Sequence, residues 1–350
     1  MGIKRVVVFV LALTVVVAAV VLNKKEPSVK STTLHVYTWS NYYPEAILED
    51  FKKKTGIQVE LSYFSSSEEL FSKLKAGATG YDIIQPSDYM IRQMARLDML
   101  TPIDHQKLKN LANIEDFYRN PAYDPGLKFS VPFSWGTTGI AVNTELVDLK
   151  SDDISWSFLF ESPSPKQTAL LDDMREVFAG VLAWKGHPIN SRDPNELGEA
   201  KKIISQVRSK ILTFNSETKG MLLKGEVAIA HAWSVDALQA ASENPKIKYL
   251  IPKEGGTIWA DTFAIPKTSK HSGEAHAFID YFLDADNALR MIRENHLTLP
   301  NKAAKLKLTP EELSNPNQYP SPAVMEKLHF LEDLGDTLPV MNNLWTELKS

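Results

Sequence analysis

Five short segments of the chain carry acids, hydroxyls and aromatic rings close together: Trp39-Ser40-Asn41-Tyr42-Tyr43, Ser87-Asp88-Tyr89, Asp172-Asp173-Met174-Arg175-Glu176, Trp233-Ser234-Val235-Asp236 and Trp259-Ala260-Asp261. Aromatic faces attract cations by about 0.5–2 kcal/mol each. Removing a carboxylate from a desolvated ammonium costs about 2–5 kcal/mol. An elongated polycation with methylene spacers needs both, rings to sandwich the methylenes and acids to pair the nitrogens, so these residue types fit a polyamine. Each residue also has an ordinary role open to it. Trp39 and Tyr42 could pack a core or its rim, Asp172 and Asp173 could cap a helix, Asp88 could be an N-cap with Tyr89 in the first turn, and Asp236 could be a solvated acid. Asp173 and Glu176 stand at i,i+3, which puts both on one helix face and lets both point into a cleft.

Catalytic and metal chemistry find no motif. There is no H-E-x-x-H, and the eight histidines are scattered, so each reads as a surface or capping residue rather than a ligand. Gly220–Gly225 has the glycine spacing of a phosphate-binding loop, but Glu226 stands where the lysine is required. No G-x-S-x-G nucleophile elbow is present. The reading is therefore a binding protein without cofactor or metal, not an enzyme.

The elements that must position the five segments alternate between strand and helix. Thr33–Thr38, Ile57–Phe64 and Asp82–Gln85 read as strands, with helices over Pro44–Thr55, Ser67–Ala76 and Asp88–Leu97. The pattern resumes with strands at Gly139–Asn143, Ala169–Leu171, Val227–Trp233, Lys248–Ile251 and Thr262–Pro266, and helices over Asp172–Trp184, Glu199–Val207 and Gly273–Leu283. Beyond Pro300 the pattern is mainly helical. Such alternation implies an α/β fold with parallel sheets, whose binding sites form at the carboxyl ends of the strands. Two lobes are expected, with crossovers near residues 140 and 263 and a ligand cleft between them.

At 350 residues the chain is long enough for two such lobes. It has no cysteine, which excludes disulfides, thiolate sites and cysteine-based lipid anchors. Its 39 basic and 43 acidic residues argue against a nucleic-acid binder. The start is set apart: Lys4 and Arg5 precede an apolar run, Val6–Leu22, broken only by Thr14. This reads as an export signal, with a retained membrane anchor as the alternative because a span needs about 17–25 residues. Residues 1–25 hold Lys4, Arg5, Lys24 and Lys25 and no acid, so the remainder of the chain carries a net charge of −8 instead of −4. Residues 26–32 read as a linker.

Taken in order, Tyr37-Thr38-Trp39-Ser40-Asn41-Tyr42, Tyr81–Ser87, Pro132–Ile140, Asp172–Phe178, Ile251–Gly256, Trp259–Asp261 and Phe263–Pro266 carry a resemblance. From about Thr33 to its end the chain resembles the bacterial periplasmic spermidine/putrescine-binding proteins, the substrate-binding subunits of polyamine ABC transporters. The resemblance implies a two-lobed, type II periplasmic-binding fold with the cleft between lobes joined by a two-strand hinge. Lobe 1 would be residues 33–138 plus 264–305, lobe 2 residues 139–263, and residues 306–350 a helical segment packing on both. Trp39, Tyr42, Tyr89, Trp233 and Trp259 would form an aromatic box, Asp173, Glu176, Asp236 and Asp261 would pair with ammonium groups, and Ser40 and Ser87 would add hydrogen bonds. Departures from the family pattern are Asn41 in place of an acid, Leu297 in place of a tyrosine and Leu331 in place of a glutamine. Asp236 resembles the putrescine-binding branch and Tyr89 the spermidine-binding branch. The implied partners are a polyamine and the permease subunits of a transporter, in the periplasm. A sensor docking on a membrane signalling receptor is the alternative. Nothing demands an oligomer, and a monomer is expected.

Overall fold

The computed structural model describes residues 32–40, 42–164 and 166–349. The expected signal segment, most of the linker and Asn41 lie outside these residues. Among the described residues no helix is long and apolar enough to cross a membrane.

Local signals set the element ends. The helix Glu45–Thr55 begins with Glu45, ends in three lysines and stops at Gly56, whose φ of 75° lets its N–H bond to the Lys52 carbonyl at 2.8 Å. The helix Ser67–Lys75 starts where the Ser66 hydroxyl accepts from the Glu69 N–H, while the Glu69 side chain reaches back to the Ser65 N–H. Its neighbour, Asp88–Arg96, takes Ser87 rather than Asp88 as its cap residue.

Among the described residues eleven strands run β1 (Thr33–Thr38), β2 (Gln58–Tyr63), β3 (Ile83–Ile84), β4 (Leu100–Thr101), β5 (Ser130–Asn143), β6 (Thr168–Leu170), β7 (Thr213–Phe214), β8 (Ile229–Trp233), β9 (Ile247–Leu250), β10 (Gly256–Pro266) and β11 (Leu328–His329). They join along the path β2-β1-β3-β10-β5-β8-β6-β7. At one end β2, β1 and β3 are mutually parallel, and at the other β8, β6 and β7 are. Between them β5 and β10 pair antiparallel, from Ile258 opposite Thr137 to Ala264 opposite Ser130. The first half of β5 pairs with β10, and its second half turns to β8 and β9. Separate apolar cores follow this division. Phe51, Phe133, Phe263, Phe278 and Phe282 gather in the first, and Trp156, Phe178, Leu182 and Ile204 in the second.

Both crossing strands are longer than their local patterns suggest. β5 starts at Ser130 instead of Gly139, and β10 starts at Gly256 instead of Thr262. Every residue of both is buried, so neither shows the in-out alternation that marks a half-exposed strand. Trp259 and Asp261, expected ahead of a crossover, therefore stand in mid-strand. Two of the histidines also depart from expectation: His231 and His276 are buried, the latter accepting the Asp104 N–H at 2.9 Å. Beyond Pro300 the one long helix is Thr337–Lys349, which packs its Met341 and Leu348 into the second core, while much of residues 306–336 is irregular.

The turn into β10 is pinned from two sides. The Trp156 indole N–H donates to the Gly255 carbonyl at 2.8 Å, and the Gly256 N–H donates to the Lys327 carbonyl, aligning β10 with β11. Gly255 has φ +85°, and a Cβ there would stand 2.1 Å from the Lys327 carbonyl oxygen. Gly255→Ala is expected to destabilise the protein by about 2 kcal/mol or more, seen as a lower denaturation midpoint with an unchanged slope.

Candidate functional site

Six strands of the two parallel groups end at one cavity. After β1 come Trp39, Ser40 and Tyr42; after β2, Phe64 and Ser65; after β3, Ser87, Asp88 and Tyr89. From the opposite side come Asp173 and Glu176 after β6, Ser216 and Glu217 after β7, and Trp233, Val235 and Asp236 at the end of β8 and beyond. Trp259 and Asp261 of β10 form the floor, and Leu331 closes one end. The cavity measures about 720 Å³ including its mouth, a size suited to a small ligand. It brings together all eleven residues singled out from the sequence, namely Trp39, Ser40, Tyr42, Ser87, Tyr89, Asp173, Glu176, Trp233, Asp236, Trp259 and Asp261.

The walls are aromatic and the polar groups acidic. The Trp39 and Trp233 rings meet edge to face at 5.5 Å across the two sheet halves, and Trp39 leans on Phe64 at 4.4 Å. Six carboxylates, Asp88, Asp173, Glu176, Glu217, Asp236 and Asp261, line the cavity, with no lysine, arginine or histidine among its described lining residues. Asp173, Glu176, Asp236 and Asp261 are only 3–9% exposed.

Most of these acids are held in place. Asp261 accepts the Tyr42 hydroxyl on one oxygen and the Ser87 hydroxyl, at 2.7 Å, on the other. The pairing of β5 with β10 slips between Asp261 and Thr262, where Phe133 is the extra residue. Bulges of this kind re-aim side chains beside sites. Glu176 accepts the Thr257 hydroxyl at 2.6 Å. Asp173 is the cap of the helix Met174–Trp184, accepting the Glu176 N–H at 3.0 Å while lining the cavity, so the capping and site roles coincide. Asp172, by contrast, turns away to Lys349 at 2.6 Å. The Ser40 hydroxyl donates to Glu217 at 3.3 Å, linking the two sides of the cleft. Tyr89 donates to Glu68 at 3.1 Å.

Phe64, Ser65, Asp88, Ser216, Glu217, Val235 and Leu331 also line the cavity. Five of these, all but Asp88 and Leu331, had no role in the sequence reading. The available signal was their position one to three residues beyond a strand of a parallel group. Of the positions expected to depart from the family pattern, Leu297 lies fully buried in the first core and Leu331 is on the cavity wall.

Burial makes this charge costly. It pushes the Asp261 carboxyl up to about 6, against the hydrogen bonds from Tyr42 and Ser87, which favour the ion. Burial and then the neighbouring Asp173 push Glu176 up to about 8. Asp173 is raised as well, chiefly by burial. Buried carboxyls raised in this way gain from a nearby positive charge.

This fold and cleft define a solute-binding protein, with parallel strand ends from two sheet halves feeding one pocket. The chain matches the family described as bacterial extracellular solute-binding protein over residues 46–320. It is 34% identical over 337 residues to the spermidine/putrescine-binding periplasmic protein 1 of Haemophilus influenzae, covering 94% of this chain and 93% of the relative. A spermidine/putrescine ABC transporter protein of Listeria monocytogenes matches with a TM-score of 0.85 at 32% identity, covering 91% of this chain and 99% of that one. A substrate-binding protein of Streptococcus pneumoniae, solved with calcium and HEPES, matches at 0.76 and 34% identity, covering 91% and 99%. The chain belongs to the bacterial extracellular solute-binding proteins and, within them, to the spermidine/putrescine-binding periplasmic proteins. It is thus a periplasmic binding protein of the transport type and not an enzyme.

The raised carboxyls link stability to pH. The folded protein keeps protons on Glu176 and Asp261 that the unfolded chain releases near the usual 4.5 and 3.8. The native state therefore binds more protons, and their contribution to stability falls as pH rises from those values to about 8 for Glu176 and about 6 for Asp261. The ligand-free melting temperature should fall less steeply between pH of about 6 and about 8 in Glu176→Gln than in the parent, as measured by scanning calorimetry at matched ionic strength.

Proposed function

We propose that this protein captures spermidine or putrescine in the cleft and delivers it to the permease of an ABC transporter. The observation that carries this reading is the inner cavity's six carboxylates with no basic residue among its described lining, walled by indole and phenol rings. Asp173, Glu176, Asp236 and Asp261 pair with ammonium groups, and Trp39, Tyr42, Tyr89, Trp233 and Trp259 enclose the methylenes. Ser40 and Ser87 hold the acids Glu217 and Asp261 and orient them.

Binding exchanges protons for ammonium groups. The raised carboxyls are partly protonated near neutral pH without ligand, and a cation drives them to ionise. The lobes, residues 33–138 plus 264–305 and residues 139–263, close about β5 and β10 as a two-strand hinge of the type II arrangement. Residues 306–350 pack on both lobes. The closed form then presents one surface, with residues from both lobes, to the permease.

Isothermal titration calorimetry with spermidine and putrescine tests the reading. Tight binding of at least one is expected. Asp261→Ala should weaken it by about 2–5 kcal/mol, because the buried ammonium loses its partner. Trp259→Ala should weaken it by about 0.5–2 kcal/mol. Absence of heat with every polyamine would overturn the proposal.

A further inference from the structure

Asp88 is the acid of the cavity that the rest of the protein leaves alone. It is 1% exposed, and neither carboxylate oxygen has a hydrogen-bond partner. Asp261, Glu176 and Asp173 each accept at least one defined donor. Buried polar groups in folded proteins nearly always find partners, so such an exception calls for a reason. Asp88 heads its helix, but Ser87 is the cap residue, so capping does not explain it. Burial, with Asp261 and Glu176 nearby, raises its carboxyl well above the ordinary value, and the backbone amides of Tyr89 and Asp88 oppose this without reaching hydrogen-bonding geometry.

Its position is also distinctive. Asp88, Tyr89 and Leu331 line both the inner cavity and a wider outer chamber that opens to solvent. On the outer side stand Tyr118 and Tyr123, whose hydroxyls are likewise buried without a partner. The charge of Asp88 reaches both phenols, adding to the burial that raises them. Ile258 and Leu331 give the passage apolar walls. The nearest cation on the same helix, Arg92, is tied to the Ala122 carbonyl. One carboxylate and two phenol oxygens thus share a wall, all buried and all unsatisfied. An ammonium group carries three donors and no acceptor, the complement of that set.

We propose that Asp88, with the hydroxyls of Tyr118 and Tyr123, forms a further ammonium subsite, reached by a linear triamine that extends past the inner acids but not by a diamine. The inference rests on the polyamine reading above and deepens it, because it makes chain length the selected property. Leu331 lies along the route, where it packs on methylenes instead of offering a polar group.

Calorimetric titration of the exported protein with putrescine and spermidine tests this, comparing the parent, Asp88→Asn and the double variant Tyr118→Phe with Tyr123→Phe. Asp88→Asn should bind spermidine about tenfold or more weaker, while putrescine stays within about twofold. The double phenylalanine variant should weaken spermidine in the same selective way, by a smaller factor, and serves alone if Asp88→Asn does not fold. Equal losses for both amines, or unchanged spermidine binding in the folded variants, would overturn the subsite and leave the polyamine reading standing. Failure of the parent to bind either amine would overturn both.

Discussion

The constraint on which the structure depends is the burial of several carboxylates around one small space with no lysine, arginine or histidine among its described lining residues. An isolated buried carboxylate is strongly disfavoured and either finds a partner or takes up a proton. Asp261 and Glu176 do some of each, accepting hydroxyl donors while their proton affinity rises. Such a site has a built-in bias toward cations. Whatever positive charge enters relieves a penalty the folded protein already carries, so selectivity for charge follows from desolvation rather than from a special contact.

The scaffold makes that arrangement tolerable. All of the acids but Asp261 stand beyond the ends of parallel strands, where backbone donors and helix starts are available, and Asp173 draws directly on this by capping the helix it precedes. Long, fully buried β5 and β10 link the two sheet halves, and Asp261 sits on β10 opposite the bulge. Its two hydroxyl partners come from the loops after β1 and β3. One carboxylate thereby ties three segments far apart in the chain. The close approach that permits this is visible at Gly136, where a Cβ would fall 2.4 Å from the Trp259 ring and 2.4 Å from the Ser234 hydroxyl. A side chain at that point of β5 would drive the indole out of the cavity floor.

The cavity is graded along its length. The indole rings of Trp39 and Trp233 meet across it, and the acids that are pinned by hydroxyls lie beside them. Where the cavity meets the outer chamber at Leu331, the unpartnered oxygens are those of Asp88, Tyr118 and Tyr123. Leu331, on the cavity wall at that end, offers no hydrogen-bonding side-chain group, so the polar demand there falls to other side chains. Among the polar atoms on that wall, the carboxylate of Asp88 and the hydroxyls of Tyr118 and Tyr123 are buried without a partner.

Much was legible in the residues themselves. β1, the helix stop at Gly56 and the start of the Ser67 helix depend on neighbours within a few positions, so local pattern and capping chemistry suffice to locate them. The paired acids and aromatics were legible too, because their types state the chemistry even when their contacts are unknown. The full lengths of β5 and β10 were not, since a strand buried on both faces loses the alternation that betrays it, and long-range pairing decides its extent. Nor could the sequence rank Asp88 above an ordinary helix-end acid. Whether a carboxylate at that position is solvated or stranded depends on Tyr118, Tyr123 and Leu331, which are distant in the chain and adjacent only after folding. Charge and shape are written residue by residue, but desolvation belongs to the packed assembly, and here desolvation turns a set of acids into a site.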